Sequence, residues 1–213
     1  MSPHNNAPAK CWGATQQEWQ AAINAFGVER LLPVVSNPEA TISPQSKMQA
    51  LGKTPSWYNA QRQVVGIAGW TEKVATEAEI AKWREEPDYG ICVKTGDGLY
   101  GFDIDVEDEA TAFAYANQLT TALRFDHFVC RYRDNSGRLL VPIPVSKSRE
   151  EAFKRYRSFS VPGGSIDLLG DGKQFIAFGT HPSGARYKWC LAVNCEGAHF
   201  AELRQQFDGS DLV

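Results

Sequence analysis

The chain has five cysteines, an odd number with no Cys-x-x-Cys spacing, which argues against a disulfide framework. No apolar run is long enough to span a bilayer. The N-terminal stretch Met1-Ser-Pro-His-Asn-Asn-Ala-Pro lacks the apolar centre of a signal peptide, so the expected compartment is the cytoplasm. An excess of charge is missing as well. The formal net charge is −3, so any nucleic-acid binding has to rest on a local basic patch. Standard zinc spacing is absent: Cys190, Cys195 and His199 stand near one another but lack a fourth ligand. There is neither an internal repeat nor a low-complexity tract. What remains is the composition of a soluble globular protein, and 213 residues suffice for one domain with a sizeable core.

Residues 90–106 are the stretch around which the rest is organised. They read as a hairpin: a strand near Tyr89–Val93, a turn over Thr95–Gly98, and a strand from Leu99 to Val106. The Asp97-Gly98 pair supplies the positive-φ residues that a tight turn needs. Alternation along the second strand puts Tyr100, Phe102, Ile104 and Val106 on one apolar face. Leu99, Gly101, Asp103 and Asp105 take the other. An isolated Asp-x-Asp often just ends a strand in a solvated turn. Here the apolar face is clean, and the two carboxylates stand beside bare backbone at Gly101. Paired acids repel unless a cation lies between them, and all-oxygen ligands favour Mg²⁺ or Mn²⁺.

Residues 1–14 read as a flexible lead-in, and 15–213 as a single domain. Thr15 caps an expected helix from Gln16 to about Phe26, and Leu31–Val35 is a short strand. Residues 36–63, with Pro38, Pro44 and Pro55, read as a long irregular connection. Thr76-Glu-Ala-Glu79 is a capping box that opens a helix running to Glu86 before Pro87. A helix follows from Glu107 to about Leu123. Strands are expected at 127–132 and 138–145, joined by a turn over 134–137. Arg149–Arg157 reads as a short basic helix or loop. Ser165–Leu169 and Lys173–Phe178 read as a strand pair, Arg186–Cys190 as a last strand, and Glu196–Phe207 as a closing helix. Cys92 and Cys130 fall in apolar strands and are expected to be buried thiols. The class is α+β. The order strand, helix, strand, strand from Leu99 to Val145 opens an RRM-like (ferredoxin-like) antiparallel sheet, with one face under helices and one open. Asp103 and Asp105 belong to the open face.

Alternation in Ser165–Leu169 sets Asp167 apart from Ile166 and Leu168, so Asp167 can join the pair. Three carboxylates on one sheet face are the protein part of a two-metal site. Basic residues cluster further along. Arg131, Arg133 and Arg138 flank the Asn135-Ser136-Gly137 turn, Lys173 follows Gly170-Asp-Gly172, and His181 lies in Thr180-His-Pro-Ser-Gly184 beside Arg186. Arginines of this kind suit a triphosphate, although they also protect solvated strand edges. Lys53, Trp57 and Tyr58 lie together in the long connection and suit contact with nucleic acid, with Tyr132 as a further stacking surface.

Taken in order, these segments resemble one family. Gly52-Lys-Thr-Pro55, Ala-Thr-Glu-Ala-Glu-Ile-Ala-Lys-Trp at 75–83, Tyr-Gly-Ile-Cys-Val-Lys-Thr-Gly at 89–96, Phe-Asp-Ile-Asp-Val at 102–106, Ile-Asp-Leu-Leu-Gly-Asp-Gly-Lys-Gln-Phe at 166–175 and Gly-Thr-His-Pro-Ser-Gly-Ala-Arg-Tyr-Lys-Trp at 179–189 resemble the bifunctional primase–polymerase (prim-pol) domains of phages and plasmids, within the archaeo-eukaryotic primase superfamily. The likeness covers about residues 30–190 and rests on the ordered set. It implies an archaeo-eukaryotic-primase-like core and template-directed nucleotidyl transfer from nucleoside triphosphates, using two Mg²⁺ or Mn²⁺ ions. Asp103, Asp105 and Asp167 match the family's metal-binding aspartates. Ser136 falls in the segment that often reads Ser-x-His, and the histidine is missing here. Arg138, with Arg131 or Arg133, is the candidate replacement, and Lys173 and His181 are further nucleotide contacts. The implied partners are single-stranded or primed DNA, nucleoside triphosphates and a replicative helicase, in a bacterial cytoplasm if phage-encoded. Two alternatives stand beside this: a non-catalytic single-strand-binding module, and a metal-dependent nuclease.

Overall fold

The computed structural model describes residues 11–193. Helix α1 spans Gln16–Phe26, and Thr15 closes its N-terminus with Glu18 in a capping box. Such a cap contributes roughly 1 kcal/mol. Strand β1 is Leu31–Val35, β2 Ser56–Tyr58, β3 Val64–Gly66 and α2 Glu77–Trp83. Strand β4 is Tyr89–Lys94, β5 Leu99–Val106, α3 Glu109–Ala122, β6 His127–Arg133 and β7 Ser136–Pro144. A 3₁₀ turn at Glu150–Ala152 leads to β8 at Arg157–Val161, β9 at Gly164–Leu169, β10 at Gln174–Phe178 and β11 at Lys188–Val193.

Three sheets result. One has the order β1-β4-β10, one the order β11-β6-β7-β5-β9-β8, and β2 with β3 forms the third. In the six-stranded sheet β5 and β6 both run antiparallel to β7, so they are parallel to each other, with α3 as the crossover. The run β6-β7-β5-β9 thus has the ferredoxin-like strand order, with a single turn of 3₁₀ helix where that arrangement would have a second helix.

The expected face of β5 holds. Tyr100, Phe102, Ile104 and Val106 are buried against α3, together with Ala112, Phe113 and Ala116. Each large side chain of this kind contributes about 1.5–3 kcal/mol on burial. The opposite face is not open throughout. Leu140, Leu169, Tyr187 and Trp189 on it pack into a second core with β1, β4, β10, α1 and α2. Trp189 Nε1 donates to the carbonyl of Ala177 at 3.0 Å and fastens β11 to β10.

Several expectations need correction. Residues 89–106 are not a hairpin. The turn has the expected backbone, with positive φ at Gly96, Asp97 and Gly98, but it carries the chain from one sheet to another. Strand β4 is buried on both faces over Tyr89–Val93 and takes β1 and β10 as neighbours, whereas alternating β5 lies between β7 and β9. Both edges of β4 are taken by β1 and β10, which leaves none for β5. For the same reason β9 and β10 are not partners: Gly170–Gly172 is a second crossing between sheets. The connection 36–63 contains β2, and Gly52 N–H donates to the carbonyl of Val35. The segment read as a basic helix or loop ends in β8. Ser136 and Gly137 belong to β7 rather than to the turn, and α2 stops at Trp83 instead of Glu86. Residues 11–14 are built into the fold: Gly13 N–H donates to Pro87 O, Ala14 N–H to Tyr89 O, and Thr180 N–H to Trp12 O. The closing helix at 196–207, Cys195 and His199 lie outside the described residues. No helix among the described residues is long and apolar enough to cross a membrane.

Candidate active site

Strand register places the carboxylates. On β5 Asp103 pairs directly with Asp167 of β9, and Asp105 with Ser165. On its other side Asp103 pairs with Leu140 of β7, which pairs in turn with Arg131 of β6. Period-two alternation keeps Asp103, Asp105 and Asp167 on one face while Phe102, Ile104, Ile166 and Leu168 fill the α3 core. Asp103 and Asp105 keep 36% and 38% of their side-chain surface accessible, at the border of the second core.

Asp103 lies deepest. Burial pushes its pKa from 3.8 up to about 6; Arg131 and Arg138 oppose that rise, and the charges of Asp105 and Asp167 add to it. Arg131 Nη2 is 3.9 Å from Asp103 Oδ1. Its Nη1 donates to Ile176 O at 3.0 Å, its guanidinium lies 4.6 Å from the centre of the Tyr187 ring, and its Nε is buried without a hydrogen-bond partner. Asp105 faces Arg138 Nη1 at 3.3 Å. Arg138 Nε donates to Glu107 Oε1 at 2.6 Å, and Ser136 Oγ donates to Glu107 Oε2 at 3.1 Å. Glu107 was not singled out in the sequence. Its signal was present: 103, 105 and 107 continue one alternation.

Asp167 is held from the edge strand. Tyr156 OH donates to Oδ2 at 3.0 Å and Ser158 Oγ to Oδ1 at 2.5 Å. Neither was expected, because the charges of 149–157 obscured the strand. Lys173 sits on this side, its Nζ 4.4 Å from the Tyr156 ring centre, and not with the arginines of β6 and β7.

The loop after β10 brings His181 to the arginines. Ser183 N–H donates to His181 Nδ1 at 3.0 Å, and Asn135 Nδ2 donates to Ser183 Oγ at 3.0 Å. Nδ1 therefore accepts, and Nε2 carries the ring proton. Burial first, then Arg133, Arg131, Lys53 and Arg138, push the imidazole pKa down to about 4. Arg133 lies 5.9 Å from the Tyr187 ring, and burial lowers its pKa. Lys53 is exposed at the rim, and its carbonyl accepts from Gln174 Nε2 at 2.6 Å.

The aromatic stacking surfaces do not survive. The Tyr58 ring stacks on Tyr89 at 5.9 Å, carries the Arg62 guanidinium at 4.2 Å, and donates its hydroxyl to Asp88 at 2.6 Å. Trp57 packs on the core, and Tyr132 is buried beneath α3. Aromatic residues beside a lysine look like a nucleic-acid surface in sequence, but here apolar contacts and hydrogen bonds use them.

As the side chains stand, no group of three His, Cys, Asp or Glu among the described residues encloses a metal position. The donor chemistry nonetheless fits a hard divalent cation: three carboxylates share a face, and the charges of two raise the pKa of the third. Cys190 is not part of this; its Sγ is 3.2 Å from that of Cys130, in the α3 core. Over residues 20–203 the chain matches the family model described as bifunctional DNA primase/polymerase, N-terminal. No curated protein matches it.

Proposed function

The chain belongs to the bifunctional DNA primase/polymerase N-terminal family, a nucleotidyltransferase family, and from that premise we propose that it joins nucleotides on a DNA template by a two-metal mechanism in phage- or plasmid-type replication. The observation that carries this is the direct pairing of Asp103 with Asp167, with Asp105 on the same face and arginines on the adjoining strands. Asp103, Asp105 and Asp167 would hold the metals. A bound pair of Mg²⁺ or Mn²⁺ ions supplies activation of a 3′-hydroxyl and neutralisation of triphosphate charge. The residues of the chain do the rest. Arg131, Arg133 and Arg138 present guanidinium donors to phosphate oxygens. Neutral His181 offers its Nε2–H, and Ser136, whose hydroxyl donates to Glu107, acts through that carboxylate. Glu107 fixes Ser136 and Arg138 relative to Asp105.

The binding-only alternative finds no free stacking surface in Trp57, Tyr58 and Tyr132, which are engaged in packing. The test is incorporation on a primed single-stranded template with Mg²⁺ or Mn²⁺, comparing the wild type with Asp103→Ala/Asp105→Ala, and including an unprimed template. Template-dependent extension lost in the double variant supports the mechanism, and unprimed products add primer synthesis. Single-strand binding without extension, indifferent to the substitutions, overturns it.

A further inference from the structure

Residues 154–160, Lys-Arg-Tyr-Arg-Ser-Phe-Ser, are exposed without interruption, and they run along the outer edge of the six-stranded sheet. Tyr156 and Phe159, 44% and 46% exposed, are two of the three exposed large apolar side chains among the described residues. Cations alternate with them. Lys154 pairs with Glu151 at 3.1 Å, whereas Arg155 and Arg157 join no ion pair among the described residues. Exposed aromatic rings between unpaired arginines suit a strand of nucleic acid, with rings for bases or sugars and guanidinium groups for phosphates.

The order of strands says which strand of nucleic acid. Across the sheet, β6 and β7 carry Arg131, Arg133 and Arg138. Next come β5 and β9 with the carboxylates, and then β8. In phosphoryl transfer the attacking and leaving oxygens lie roughly in line, on opposite sides of the phosphorus. With the triphosphate on the arginine side, the attacking 3′-hydroxyl approaches from the opposite side. That side is β8, about 10 Å from β5 at two strand spacings. Tyr156 and Ser158 join it to the site through Asp167, while Arg157 and Phe159, paired with Leu168 and Ile166, turn to the other face at the rim.

We propose that strand β8 is the dock for the 3′ end of the primer strand, with Tyr156 against its terminal nucleotide and Arg155, Arg157 and Phe159 against the nucleotides behind it. The assignment rests on the nucleotidyl-transfer reading above. The test uses the full chain with a primed single-stranded template carrying 5-iodouracil either at the primer 3′ end or at the template position opposite. Irradiation without nucleotide, followed by peptide mapping, should label Tyr156 or Phe159 from the primer probe and not from the template probe. The variant Arg155→Ala/Arg157→Ala/Phe159→Ala should bind primed template about tenfold more weakly. The slope of its log affinity against log salt should be shallower by about 1.8, the value for two lost duplex phosphate contacts. Its KM for nucleoside triphosphate should stay within about twofold of the wild type. Primer labelling confined to other segments, template labelling at β8, or unchanged primer affinity in the variant overturns the dock, and the last two would leave the edge free for a protein strand. Failure of the wild type to extend a primer that still labels β8 would sink the polymerase mechanism alone.

Discussion

Replacing Asp103 by asparagine should stabilise the protein while abolishing nucleotide incorporation. The carboxyl pKa rises from 3.8 to about 6, mainly through burial. Two units correspond to about 3 kcal/mol at 1.36 kcal/mol per unit. Because 36% of the side chain is accessible, solvent screening reduces that to about 1–2 kcal/mol. The pH dependence follows from the direction. Below about 4 the group is protonated in both folded and unfolded chains and contributes nothing unfavourable. As pH rises from about 4 to about 6 the unfolded chain releases the proton first, so the folded state loses stability, and the full penalty stands above 6. Asparagine has no charge to desolvate and keeps an acceptor oxygen toward Arg131. At about 2–4 °C per kcal/mol for a chain of this size, Asp103→Asn should melt about 2–8 °C above the wild type at pH 8. At pH 4 the two should melt within about a degree. The assay is thermal unfolding at both pH values, without divalent ions. A variant that melts below the wild type at pH 8 refutes the argument, because Arg131 would then more than compensate the buried charge, and an equal gain at both pH values refutes it, because the gain would not come from the charge.

Two further outcomes are expected. A histidine-selective NMR titration should give His181 a midpoint near 4, leaving the ring neutral between pH 5 and 8; a midpoint above 6 would contradict its burial among Arg131, Arg133, Arg138 and Lys53. Gly137→Ala should cost about 3 kcal/mol or more, because the added methyl would stand 2.1 Å from Glu107 O and 2.6 Å from its carbonyl carbon, which are backbone atoms unable to turn aside; a Tm within about 3 °C of the wild type would show that the junction yields.

The faces of the strands were legible in the sequence, and their partners were not. Period two sorted Asp103 and Asp105 from Ile104 and Val106, and it sorted Asp167 from Ile166 and Leu168, because each strand has one face in the α3 core. The caps at Thr15 and Thr76 were legible because a capping box is local chemistry. Pairing is not local. The glycine turns at 96–98 and 170–172 look like hairpin turns, yet each carries the chain between sheets, and nothing in the turn residues betrays it. The fate of Tyr58 depended on Asp88, Tyr89 and Arg62, which its own neighbourhood in sequence does not announce. The hydroxyls that hold Asp167 lay in a stretch whose arginines masked an edge strand.

The two glycine crossings also govern how the chain folds during synthesis. Strand β4 needs β10 as its second neighbour, and Cys92 reaches Gln174 across 82 residues. At roughly 5–20 residues per second the ribosome takes about 4–16 s to make that stretch. Throughout it one edge of β4 keeps its backbone N–H and C=O groups without the strand that pairs with them. The first sheet begun is thus among the last completed, and the nascent chain is most prone to aggregate while β5 to β9 are still being made.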